Sequence, residues 1–150
     1  MSNSLPNTPW RIALLAGGDS DERAISLQSG FAVQAALASR GHIVVPLDPA
    51  DIDLESIDWQ QFDVAFLALH GRFGEDGTVQ GMLELLGIPY QGSGVLGSAI
   101  AMNKRLSKTF YRQEGLPVAR DRVVEPGNRF VLESVVEELG WPVVVKPNSE

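Results

Sequence analysis

Four short stretches of this chain combine side chains and spacing suited to chemistry. Asp19-Ser-Asp-Glu22 follows Gly17-Gly18 and opens a helical pattern. Its carboxylates either cap the helix and complement its dipole, or one of them, Glu22, reaches over a sheet edge to hold a ligand's ammonium group. His70-Gly-Arg-Phe-Gly-Glu-Asp-Gly77 packs an imidazole, a guanidinium, two carboxylates and three glycines into one loop. A turn needs Asp76-Gly77 but has no need of His70, so His70 is either a satisfied structural residue or faces a ligand. Lys104, Lys108 and Arg112 recur every four residues, as a solvated helix face or as a phosphate-facing strip. Lys146 follows three valines, and an ammonium at the end of a buried strand requires an anion partner.

A fifth pattern is weaker. Gly92-x-Gly94-x-x-Gly97 matches a dinucleotide fingerprint literally. It does not follow the first strand of the βαβ unit, however, and only Glu114 stands near the place of the acidic ribose ligand. Tight backbone geometry explains these glycines more simply. There is no Walker lysine motif, which rules out a P-loop.

The elements that must position these residues read as alternating strands and helices. Ile12–Ala16 is a short apolar strand stopped by Gly17-Gly18. Ala24, Leu27, Phe31, Ala35 and Ala38 share one predicted helical stripe, and Gly41 ends the helix. Ile43–Val45 is the next strand, giving a parallel βαβ unit with a right-handed crossover. Asp63–Leu69 is apolar on both faces, as a central parallel strand is, and ends at His70. Val79, Met82, Leu83 and Leu86 mark a helix closed by Gly87, and Ile88–Tyr90 a brief strand. One further helix is predicted to bury Ala99, Met102, Leu106 and Phe110. Beyond Gly115-Leu-Pro117 the pattern is a strand within 118–125, a turn at Pro126-Gly127-Asn128, a helix through Leu132, Val135, Val136 and Leu139, and an apolar strand over Val143–Pro147. The fold class is therefore α/β with an open parallel sheet. The expected organisation is a loose leader over 1–10, an N-terminal domain over 11–116 and the start of a second, incomplete domain over 117–150.

Composition narrows the function classes. The chain has 150 residues, 44% of them hydrophobic, enough to bury a core. Twelve basic residues against nineteen acidic ones leave a net charge of −7, which argues against a duplex-binding surface. There is no cysteine and there are only two histidines, so disulfides, thiolate metal sites and multi-histidine zinc are excluded. The first ten residues lack a basic region and an apolar run, and no stretch is long enough to span a membrane. A cytoplasmic protein is expected.

Taken together, these residues resemble the D-alanine–D-alanine ligases of the ATP-grasp superfamily, from about Arg11 to Glu150. The resemblance rests on Ala16-Gly-Gly18 with Glu22-Arg23 and Ser26, on Ala68-Leu-His-Gly71 with Gly74-Glu-Asp-Gly77, and on Gln80-Gly-Met-Leu-Glu84. It continues through Gly87-Ile-Pro-Tyr90, Gly92-Ser-Gly94, Ala101-Met-Asn-Lys104, Gly115-Leu-Pro117 and Val145-Lys-Pro147. It implies a substrate-binding N-terminal domain of pre-ATP-grasp type, followed by the truncated start of an ATP-grasp domain.

By that resemblance Glu22 orients the ammonium of the first D-alanine and is the catalytic candidate, with His70 beside the same substrate. Lys104 and Lys146 contact ATP phosphates. The implied reaction phosphorylates one D-alanine with ATP and Mg2+, after which the amine of a second attacks the acyl phosphate, for peptidoglycan precursor synthesis. The metal ligands, adenine pocket and phosphate-covering loop would lie beyond Glu150, so the chain alone is expected to be inactive. A homodimer is also implied. Asn103 and Ala24 depart from the acidic residues common at those positions. A D-alanine–D-lactate ligase, a non-catalytic small-molecule-binding module and, more distantly, a dinucleotide-dependent oxidoreductase are the competing readings.

Overall fold

The structure is a computed structural model that describes residues 8–125, 127 and 131–149. The leader expected over 1–10 thus lies mostly outside the described residues, as do Pro126 and Asn128 of the expected turn and the side chain of Leu132. The chain forms two compact units, one up to Ala99 and one from Ile100.

The first unit is built on β1 (Arg11–Leu15), which lies between β2 (Ile43–Leu47) and β3 (Val64–Leu67) in a parallel sheet of order β2-β1-β3. Leu15 is level with Leu47 on one side and Leu67 on the other. The central strand is buried on both faces, which is why it reads as a continuous apolar run. Ala13 and Leu15 face a core containing Leu54, Trp59, Phe62, Val79 and Leu83. Leu14 and Ala16 face a smaller one with Ala68, Val33 and Val44. Tyr90 adds a single parallel bridge to Ala65, so the strand expected at 88–90 is one residue of sheet. All three strands run the same way, so residues just after them share one edge of the sheet. That edge receives Gly17-Gly18, Asp48 and His70.

Helix α1 (Arg23–Ala38) forms where expected but turns a different face inward. The predicted stripe through Ala24, Phe31, Ala35 and Ala38 is exposed, with Leu27 half-buried. Ser26 and Gly30 are buried instead. The reason is proximity. A Cβ placed on Gly30 would lie 2.6 Å from the Ala16 Cβ, so only a hydrogen lets the helix sit this close to the chain leaving β1. Hydrophobic periodicity does not register a face made of serine and glycine. Helix α2 (Thr78–Leu86) forms where predicted, with Val79 and Leu83 fully buried, Met82 half-buried, Leu86 exposed and Gly87 as left-handed C-cap.

The helix predicted around residues 99–110 is two helices, α3 (Val95–Met102) and α4 (Lys104–Gln113). Asn103 separates them. Its side chain accepts the Leu106 N–H at 3.0 Å and caps α4, a role open to Asn as much as to Asp. Ser107, rather than Leu106 or Phe110, is buried, and its hydroxyl donates to the Ile100 carbonyl at 2.7 Å. Helix α5 (Val131–Leu139) forms as expected with Val135 buried. The strands expected within 118–125 and over 143–147 are not formed; both stretches run without regular structure. A strand needs a partner ladder, and the second unit's one bridge among the described residues joins Asn103 to Ser149.

Candidate functional site

The carboxyl edge of the first unit's sheet is organised around three loops. Leaving β1, Gly17 takes a φ of +97°, and a Cβ there would lie 2.1 Å from the Asp48 carboxylate. Both facts restrict the position to glycine. The Gly17 N–H donates to the Ser26 Oγ at 2.8 Å and the Gly18 N–H to Asp48 Oδ1 at 2.9 Å. Arg23 spans from its helix to Asp48 at 2.7 Å and to the Gly18 carbonyl at 3.1 Å. Burial pushes the Asp48 carboxyl up, but the Arg23 hydrogen bond and the N–H groups of Gly18 and Ala50 outweigh it and hold it below the ordinary carboxylate value.

The loop leaving β3 is fixed mainly by its own carboxylates. Glu75 accepts the Gly71 N–H at 2.8 Å. Asp76 accepts the N–H groups of Phe73 and Thr78, both at 2.9 Å. Burial opposes ionisation of Asp76, yet these donors hold its carboxyl below the usual range. The two acids of this motif therefore hold the loop's shape. Gln80 adds a bond from Nε2 to the Gly74 carbonyl at 2.8 Å. His70 is different: its Nε2 is buried and has no protein partner.

These two loops meet at Glu22. The residue occupies the N-cap position of α1, but its side chain makes no cap bond. Its carboxylate turns to the other loop, with Oε2 3.1 Å from where a Cβ on Gly71 would stand. The Ser20 Oγ donates to the His70 carbonyl at 2.9 Å and accepts the Glu22 N–H at 3.3 Å. One layer below, Ser26 receives Gly17 and donates to the Ala68 carbonyl at 2.7 Å. Glu22 and His70, far apart in sequence, are thus brought to one place. Ser20 reads from the sequence as an N-cap oxygen beside Asp19, but Glu22 holds the cap position and the Ser20 hydroxyl bridges to the other loop; nothing in the sequence marks Ser26 for its tie. Asp48 had a legible signal, a carboxylate directly after a strand; a lone serine carries almost none.

In the second unit, Lys104 opens α4, and its backbone N–H donates to the Asn148 carbonyl at 2.9 Å. The Asn148 side chain accepts from the Arg105 N–H at 3.0 Å. The segment carrying Lys146 is thereby tied to the start of α4. Lys146 itself is exposed and does not end a buried strand, so the expected need for an anion there does not arise from burial. Lys108 and Arg112 both pair with Asp121, which supports the solvated-face reading of that strip. Glu114 sits at the C-cap of α4, away from any strand end, leaving the dinucleotide fingerprint without its acid.

A cavity of about 150 Å³ lies between α1 and the β1–β2 side, lined by Leu27, Phe31, Pro46 and Asp48 among others; neither Glu22 nor His70 lines it. No helix among the described residues is long and apolar enough to cross a membrane.

Residues 49–93, which include the whole His70–Glu84 run, match the family described as D-ala D-ala ligase N-terminus. The chain is 54% identical over 140 residues to a D-alanine–D-alanine ligase of Syntrophobacter fumaroxidans, covering 93% of this chain and 45% of the relative. It is 53% identical over 143 residues to that of Geobacter sulfurreducens, covering 93% and 44%. The chain matches the N-terminal part of D-alanine–D-alanine ligases. Among solved structures, a D-alanine–D-alanine ligase from Bacillus anthracis complexed with ATP superposes with a TM-score of 0.70 at 38% identity, over 93% of this chain and 48% of that one. D-alanyl-alanine synthetase A from Vibrio cholerae gives 0.74 at 28% identity, over 89% and 46%. The chain thus spans about 45% of the length of the ligases it matches.

Proposed function

We propose that this chain supplies the first-substrate half of an ATP-dependent D-alanine–D-alanine ligase acting in the cytoplasm on peptidoglycan precursors. The observation that carries the reading is the Glu22 carboxylate, uncommitted to its own helix and set against the His70–Gly71 turn. A carboxylate so placed attracts the ammonium of a small zwitterion. Held this way, the amino acid keeps its carboxylate available to attack the γ-phosphoryl group of ATP, giving an acyl phosphate and ADP. The amine of a second D-alanine, once deprotonated, attacks the acyl carbon and expels inorganic phosphate. The first unit contributes orientation, which converts part of a bimolecular encounter into a unimolecular step.

Lys104 and Lys146 would receive phosphate oxygens, consistent with the tie that Asn148 makes between their two segments. Two cations there would balance charge developing on the transferred group. Mg2+ finds no matching donors: among the described residues no three His, Asp or Glu side chains cluster. The proposed ligase is a homodimer.

The direct test is a nuclear magnetic resonance titration of the 15N-labelled chain with D-alanine and, separately, L-alanine. Saturable shifts at the Gly18 and Gly71 amides, stronger for the D-enantiomer and lost in Glu22→Gln, are expected. Equal and non-saturating responses to both enantiomers would contradict the proposal.

A further inference from the structure

We infer that Ser20 is a positioning residue, whose one hydroxyl fixes the Glu22 carboxylate relative to the His70–Gly71 turn and so sets the geometry of the ammonium pocket. The inference rests on the proposed D-alanine reading. Its basis is that Ser20 Oγ is bonded to both site residues at once, accepting from the Glu22 N–H at 3.3 Å and donating to the His70 carbonyl at 2.9 Å. No other side chain among the hydrogen bonds described joins these two residues.

The surroundings leave the hydroxyl little choice. The Ser20 carbonyl accepts the Arg23 N–H at 3.0 Å, and the Glu22 carbonyl accepts the Ser26 N–H at 3.0 Å, so the backbone on either side is held by the first turn of α1. Gly71 sits against the pair. A Cβ there would stand 3.1 Å from Glu22 Oε2 and 3.3 Å from Ser20 Cβ. The β3 exit loop can approach this closely because residue 71 has no side chain and a φ of +69°. Ser20 is half-buried and stands at the loop surface, whereas Ser26 below it is fully buried and ties the same two chain segments. The division of labour follows from burial. Loss of Ser26 leaves buried backbone groups unpaired and costs fold stability. Loss of Ser20 lets water replace the hydroxyl, so the fold survives while the Glu22–His70 spacing relaxes. An ion-pair contact weakens steeply when its carboxylate can wander, and the effect appears as lost affinity.

The experiment is the D-alanine titration of the complete 150-residue chain, read at the Gly18 and Gly71 amides, in wild type, Ser20→Ala, Ser20→Thr and Ser39→Ala. Ser20→Ala is expected to weaken D-alanine at least tenfold with an unchanged thermal midpoint. Ser20→Thr, which keeps the hydroxyl, is expected to stay within threefold of wild type. Ser39→Ala, at the far end of α1, is expected to change nothing. Ser20→Ala binding within twofold of wild type overturns the positioning role and leaves the D-alanine reading standing. A wild-type chain that does not respond to D-alanine overturns both. Should Ser20→Ala fail to fold, Ser20→Cys keeps the volume but weakens both bonds. An intermediate loss then supports the role, and wild-type affinity overturns it.

Discussion

The two units of this chain hold their candidate residues in opposite ways. At the sheet edge of the first, Glu22 and His70 sit on loops tied by hydrogen bonds to Ser20, Ser26, Asp48, Glu75 and Asp76. In the second, the segment carrying Lys146 lies exposed without regular structure, and the ties described between it and α4 run through Asn148 and Ser149. The difference follows from the sheet. Three parallel strands give the first unit a two-sided core and one edge at which loops converge, whereas Val144 and Val145 of the second are exposed, at 79% and 87%. A site meant to orient a small molecule needs the first arrangement.

The contrast can be broken most severely from the core. Leu83→Ala, at a fully buried position under β1 and β3, is expected to cost about 2–5 kcal/mol, measured by urea denaturation. Val144→Ala in the second unit is expected to lie within about 0.5 kcal/mol of wild type. Equal effects would mean that the first unit is not the better packed.

Acid should act next. Asp48 and Asp76 both titrate below the ordinary carboxylate value. Their stabilising contribution is therefore complete above the unfolded value of about 3.9 and is lost as pH falls through the lower folded values. Denaturation midpoints of Asp48→Asn and wild type should differ at pH 7, and the difference should shrink as pH falls below the unfolded carboxylate value. A difference that grew toward acid pH would contradict the assignment.

Smaller effects belong to the second unit. Asn103→Ala removes the α4 cap and should cost about 1 kcal/mol, read from the helix's amide exchange. Asp121→Asn, at a partly exposed cluster with Lys108 and Arg112, should cost about 1 kcal/mol or less, falling further with added salt.

How much was legible in the sequence divides along the same line. The parallel strands and α2 announce themselves, because burial on both faces or a clean helical spacing leaves an apolar pattern. The placement of Glu22 and His70 at the sheet's carboxyl edge was legible because each stands immediately after a strand or at a helix start. The inward face of α1 was not: Gly30 and Ser26 owe their burial to a 2.6 Å approach and a buried hydroxyl, neither of which hydrophobic periodicity weighs. Asp76 reads as a turn residue and is one, whereas the tie from Glu75 to the Gly71 N–H was not legible, since sequence cannot tell an acid facing solvent from one facing a backbone N–H. The split at Asn103 is a capping preference overriding a continuous stripe. The absent strands at 118–125 and 143–147 show that an apolar run specifies a strand only where a partner pairs with it.

The central claim is that the sheet edge of the first unit, at Glu22 and the His70–Gly71 turn, is where an amino acid would be received. A residue-resolved titration of the 15N-labelled chain with D-alanine tests it most directly. The account predicts saturable shifts confined to the amides of Gly17, Gly18, Glu22 and Gly71, with Lys104, Arg105 and Ser149 unmoved. Shifts centred on Lys104 and Ser149, with Gly18 and Gly71 silent, would contradict it.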